Sequence, residues 1–149
     1  MGKLLDGFVA FWKAFGASMA QGENYHEAAA QLVFQAYLQR IVNGGGWVDR
    51  EYGLGEGRTD LFIRKPYTDA DGKATVQREV IELKVRRQGK GSPLREALNQ
   101  LDKYLDQLSL DTGYLVIFDR RDSALRKRPN PVITTTSTPD GHDITLLTA

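Results

Sequence analysis

The chain contains no cysteine, which excludes disulfides, thiolate metal centres and thiol nucleophiles together. Only two histidines are present, too few for an imidazole-built metal site. No apolar run approaches the roughly 18 residues that cross a bilayer. The N-terminus lacks the basic, apolar and small-residue succession of a secretory signal. A soluble cytoplasmic protein without membrane contact is therefore expected. Charge of one sign is also missing. Twenty Lys and Arg face 19 Asp and Glu, for a net charge of +1, so any nucleic-acid binding must use local basic patches. There is no G-x-x-x-x-G-K-[ST], so no ATPase module lies within the sequence. Internal repeats and low-complexity tracts are absent.

What is there suits one globular domain spanning 1–149: 41% of residues are hydrophobic and 26% charged, enough to bury a core. Leu4, Leu5, Phe8, Phe11, Trp12 and Phe15 recur at helical spacing and predict an N-terminal helix within 1–21, read as a docking helix for the rest of the fold. Gly22 breaks that pattern. Tyr25 to Val42 predicts a second helix, low in charge and expected to be largely buried, ended by Gly44, Gly45 and Gly46. Trp47 to Tyr52 alternates as a strand, and "GLGEG" reads as a loop or turn.

Asp60 to Arg64 and Val76 to Arg86 form two further strands around Asp71-Gly72, a hairpin signal. A third helix carries Leu94, Leu98, Leu101, Leu105 and Leu108, with Gly113 expected to end it. "YLVIF", Tyr114 to Phe118, reads as a strand buried in a sheet. A basic segment and two strand-like runs, Val132 to Thr136 and Ile144 to Thr148, complete the chain as an expected terminal hairpin. The organisation is then 1–21 helix, 23–119 core, and 120–149 basic segment with strands. The fold class is α/β, with a mixed sheet of about four strands flanked by helices.

Candidate chemistry sits in the two central strands. Alternation places Glu82 and Lys84 on one face and Leu83 on the other. The hairpin allows Asp60 to lie across from them. Two carboxylates and an ammonium converging on one patch suit a hard cation such as magnesium or manganese. Lys84 can then orient a bound water or help deprotonate it. The competing reading is an ordinary polar strand face, as half-exposed strands often carry.

"GRTD" followed after a hairpin by "IELK" resembles the PD-(D/E)xK nuclease superfamily, whose core order is helix, three strands, helix, strand. The resemblance implies a restriction-endonuclease-like core. It makes Asp60 and Glu82 ligands of Mg2+ or Mn2+, the Leu83 carbonyl a further ligand and Lys84 the residue assisting the attacking water. The proline that often precedes the aspartate is replaced by Thr59. Glu27 of "NYHEAAAQLVFQAYL" matches a helix glutamate that completes the metal site in many members, with Glu23 the alternative. Gln100 and Tyr104 resemble the Q-x-x-x-Y pair of RecB-type nucleases and share a helix face. Either could equally be a structural residue of that helix.

More narrowly, "YHEA", "GLGEGRTDLFI", "IELKV" and "ALNQLDKYL" resemble the nuclease-like C-terminal domain of predicted AAA-type ATPases. That would make an ATPase domain a partner in cis. Many superfamily members are dimers, so a homodimer is a further expectation. The implied activity is Mg2+-dependent hydrolysis of phosphodiesters in DNA. The alternative is an inactive nucleic-acid-binding or protein-docking module. Arg58, Arg86, Arg87 and Lys90 are candidate phosphate contacts beside the site. Arg95 continues this cluster, and Arg120, Arg121, Arg126, Lys127 and Arg128 form a second.

Overall fold

The computed structural model describes residues 2–19, 27–43, 45–54, 57–121 and 130–149. The expected features at Gly22, Glu23, Tyr25, Gly44, Arg126, Lys127 and Arg128 lie outside them. The elements are α1 (Gly2–Met19), α2 (Glu27–Val42), β1 (Trp47–Leu54), β2 (Gly57–Thr68), β3 (Ala74–Arg86), α3 (Leu94–Leu108), β4 (Thr112–Asp119), β5 (Val132–Ser137) and β6 (Asp143–Thr148). The class is α/β, and the order helix, three strands, helix, strand runs from α2 to β4.

All six strands belong to one mixed sheet in the order β1-β2-β3-β4-β6-β5, which corrects the expected count of about four. The reason lies in β4. Leu115 to Phe118 are buried, so the backbone groups on both edges of that strand need partners away from water. β3 supplies one edge in parallel, with Leu83 opposite Val116. β6 supplies the other in parallel, with Leu115 opposite Leu146. β5 then returns antiparallel to β6 and forms the edge. The terminal hairpin exists, but as an extension of the central sheet.

The sheet separates two apolar layers. Leu61, Ile63, Ile81, Leu83, Val116 and Phe118 face α1 and α2, meeting Leu5, Phe8, Phe34 and Leu38. Phe8 packs edge-on against Phe34 at 4.6 Å between ring centres, so α1 docks on the body as expected. Phe62, Val80, Leu115 and Ile117 face α3, meeting Ala97, Leu101, Tyr104 and Leu105. α2 is less buried than its composition suggested: Phe34 and Leu38 are covered, but Leu32 is 50% exposed. Only the faces toward the sheet and α1 are covered there, and the period that fills them runs through 34, 37 and 38.

Two turns set the geometry. Between β2 and β3, Gly72 has φ 79°, and the Asp69 carboxylate accepts the N–H groups of Asp71 and Lys73 at 3.0 and 2.9 Å. This is the turn that Asp71-Gly72 signalled. The end of α3 departs from expectation. Ser109, not Gly113, takes the left-handed conformation at φ 51°, with its N–H directed to the carbonyls of Asp106 and Leu105. Gly113 lies buried inside β4, where an added Cβ would meet Ile144 and Leu105 at 3.3 Å. It is small so that sheet and helix can approach. No helix among the described residues is long and apolar enough to cross a membrane.

Candidate metal and phosphodiester site

Pairing between β2 and β3 runs from Thr68 opposite Ala74 to Leu61 opposite Ile81. One step further in that register would set Asp60 against Glu82. Pairing stops there, and a side chain takes over: the Leu83 N–H donates to Asp60 Oδ2 at 2.7 Å. Asp60 is thereby fixed at the point where the two strands part. A strand residue presents its N–H and C=O on the same edge. The Leu83 carbonyl is therefore turned toward the same opening.

Glu82 is buried, its side chain only 3% exposed, and Lys84 Nζ lies 2.9 Å from its Oε1. The other oxygen, Glu82 Oε2, is buried with no hydrogen-bond partner among the described residues. Burial first, and the neighbouring Asp60 charge second, push the Glu82 carboxyl up to about 7, against the pull of Lys84 and of the Asp60 backbone N–H. Burial also raises Asp60, partly offset by the Leu83 N–H and Lys84. For Lys84, burial works to lower the pKa. The hydrogen bond to Glu82 and the charges of Glu82 and Asp60 outweigh it, so the net shift is upward. Lys84 is thus a cation here. Elsewhere on β3, Glu79 is also buried, but the Gln77 amide donates to its Oε1 at 2.6 Å. The uncompensated oxygen belongs to Glu82.

Tyr104 enters from α3. Its hydroxyl donates to the Arg58 carbonyl at 2.6 Å, tying the helix to the segment of β2 just before Asp60. Burial and the Glu82 charge raise its pKa, which keeps the proton available for that bond. Gln100, one turn earlier on the same helix face, has its Oε1 buried without a partner among the described residues. The Arg58 side chain pairs with Glu51 at 3.3 Å on the exposed surface, while Asp49 pairs with Arg64 at 2.7 Å. Arg86 shares the face of Glu82 and Lys84 on β3. Arg87 and Lys90 are exposed beyond its end. Glu27 is the first residue of α2, a helix packed on the opposite face of the sheet, and its side chain lies outside the described ones.

Glu51 escaped the sequence reading. Flanking pairs Arg50–Leu61 and Tyr52–Thr59 place it opposite Asp60, and its charge contributes to the upward shift there. It has φ 47°, a left-handed conformation that disfavours a residue with a Cβ. Pairing β1 antiparallel with β2, Leu54 opposite Gly57, would have supplied that register.

The donor set fits a hard divalent cation. Two neighbouring carboxylates whose pKa values are both raised, a buried oxygen lacking a partner among the described residues and a carbonyl on the same edge are all oxygen donors. Among the described residues, no group of three or more His, Cys, Asp or Glu side chains converges. Such a cation would keep water in much of its shell, as magnesium commonly does. No protein-family model, curated protein or solved structure matches this chain.

Proposed function

We propose that the protein is a metal-dependent nuclease of the PD-(D/E)xK type, hydrolysing phosphodiester bonds in DNA. The observation that carries this reading is the meeting of Asp60 and Glu82 where β2 and β3 part. There, Lys84 neutralises one Glu82 oxygen, and the other has no partner among the described residues. The order of elements and the antiparallel, antiparallel, parallel succession of β1 to β4 support a restriction-endonuclease-like core.

Asp60, Glu82 and the Leu83 carbonyl would hold Mg2+ or Mn2+. When bound, such a cation polarises a phosphate oxygen and lowers the pKa of a coordinated water. The chain's own residues do the rest. Asp60 is pinned by the Leu83 amide, which fixes its orientation before substrate arrives. Glu82, near neutral pH, can hold or release a proton as the occupancy of the pocket changes. Lys84, held as a cation, supplies N–H donors and positive charge beside the phosphate, where negative charge grows during water attack. Tyr104 braces the start of β2 so that Asp60 keeps its place.

Incubating plasmid and linear DNA with the protein in Mg2+ and Mn2+ tests this directly. Cleavage by the wild type that disappears in Asp60→Asn and in Lys84→Ala, with both variants folded, is expected. Cleavage at the wild-type rate in either variant would sink the assignment. Metal-supported DNA binding without cleavage by the wild type would favour a non-catalytic module.

A further inference from the structure

Arg86 lies one two-residue step beyond Lys84 on the same face of β3, about 7 Å along the strand. Its register partner on β4 is Asp119, which faces α3 as Leu115 and Ile117 do, so an Arg86–Asp119 ion pair would be the ordinary outcome. Asp119 is instead held by Arg121. The guanidinium donates at 2.9 Å to one carboxylate oxygen and 2.6 Å to the other, and the Arg121 N–H adds a contact at 3.1 Å. Those bonds first, with a smaller contribution from the nearby Arg86 charge, hold the Asp119 carboxyl below its usual range.

Arg86 Nε is left buried without a hydrogen-bond partner among the described residues. Its backbone is fixed, since the Arg120 N–H donates to the Arg86 carbonyl at 2.8 Å. The other two buried side-chain atoms in that condition are Glu82 Oε2 and Gln100 Oε1, on the same side of the sheet. The 87–93 connection also brings the N-terminal, positive end of α3 to this end of β3.

We propose that Arg86 binds the backbone phosphate next to the one being cleaved. A single strand of nucleic acid then follows the C-terminal half of β3, with its scissile phosphate at Asp60, Glu82 and Lys84. This rests on the nuclease reading and adds a path for the substrate. A guanidinium with an unused N–H suits a phosphate diester, whose oxygens accept forked hydrogen bonds. The two-residue step along the strand is comparable with the spacing of successive phosphates on one strand. Exposed Lys90 has no such fixed geometry and supplies only general attraction.

The test compares wild type, Arg86→Gln and Arg86→Lys, each checked for folding by thermal unfolding. Binding of a fluorescent single-stranded oligodeoxynucleotide is followed by anisotropy across a salt series, with Ca2+ replacing Mg2+. Arg86→Gln should bind about tenfold more weakly, with a salt slope shallower by about one counterion, and Arg86→Lys should recover part of both. In Mg2+, Arg86→Gln should raise KM for DNA with little change in kcat. It should leave hydrolysis of bis(4-nitrophenyl) phosphate, which has no neighbouring phosphate, at the wild-type rate.

Unchanged affinity and slope in Arg86→Gln, or equal losses on both substrates, would overturn the proposal. If wild type cleaves, Asp60→Asn does not, and Arg86→Gln binds like wild type, only the phosphate subsite falls. If wild type neither binds nor cleaves, the nuclease reading falls and the subsite falls with it.

Discussion

Asp102 and Glu82 are both buried carboxylates where α3 meets the sheet, and their surroundings differ in kind. Asp102 accepts from His142 Nδ1 at 2.9 Å and from the Asp140 N–H at 3.2 Å. His142 is further held by Thr138, whose Oγ1 accepts its N–H at 3.0 Å. Burial works to raise the Asp102 carboxyl, but hydrogen bonds from Thr138, His142 and Asp140 hold it below the usual range. The result is a closed clip fastening the β5–β6 turn to α3. Glu82 is buried more deeply, with one oxygen lacking a partner among the described residues and its carboxyl raised to about 7. A satisfied buried acid contributes to the fold. An unsatisfied one marks a place where the fold tolerates a polar oxygen without a partner, as sites that receive a ligand do.

Breaking each cluster should separate these roles, most strongly in activity. Asp60→Asn or Lys84→Ala should lower DNA cleavage by about a thousandfold or more, while His142→Ala changes it less than about twofold; rates on plasmid DNA check both. Stability should respond in the other direction. Asp102→Ala strands His142 and the Asp140 amide and should destabilise by about 3 kcal/mol, read from urea unfolding.

The pH dependence comes next in size. Glu82 moves from 4.5 unfolded to about 7 folded. Between those values the folded state holds the extra proton, so stability falls as pH rises. Metal-free protein should lose about 2 to 3 kcal/mol between pH 5 and 8. Glu82→Gln should flatten that slope and stabilise the metal-free protein at pH 8 by about 1 to 2 kcal/mol. Mg2+ should stabilise wild type more at pH 8 than at pH 5.5. Thermal unfolding at several pH values reads all three. The smallest effect is Tyr104→Phe, which removes one hydrogen bond to Arg58 and should cost about 1 kcal/mol, with a measurable loss of metal affinity by titration.

The two clusters were unequally legible in sequence. Asp60, Glu82 and Lys84 stand out because charges interrupt an apolar strand of period 2, and the Asp71-Gly72 turn brings them together. Asp102 gave no such signal. It sits within the leucine stripe of α3, and its partner lies 40 positions later, across a packing that no local pattern encodes. β6 was similarly hidden, because its place beside β4 follows from the needs of β4's open edge. The stop of α3 at Ser109 and the strained Glu51 were missed because glycine is the usual signal for a left-handed residue, and neither is glycine. The partial exposure of α2 was missed because its apolar residues extend beyond the faces that the sheet and α1 cover, as Leu32 does.

Calorimetric titration of Mn2+ into metal-free wild type, Asp60→Asn and Glu82→Gln at pH 6, in buffers of different ionisation enthalpy, tests whether the orphaned carboxylate is a cation site. Wild type should bind with release of close to one proton, because Glu82 is largely protonated at that pH and must ionise to bind. Both variants should lose that binding. Equal binding by all three proteins, or binding by wild type without proton release, would contradict it.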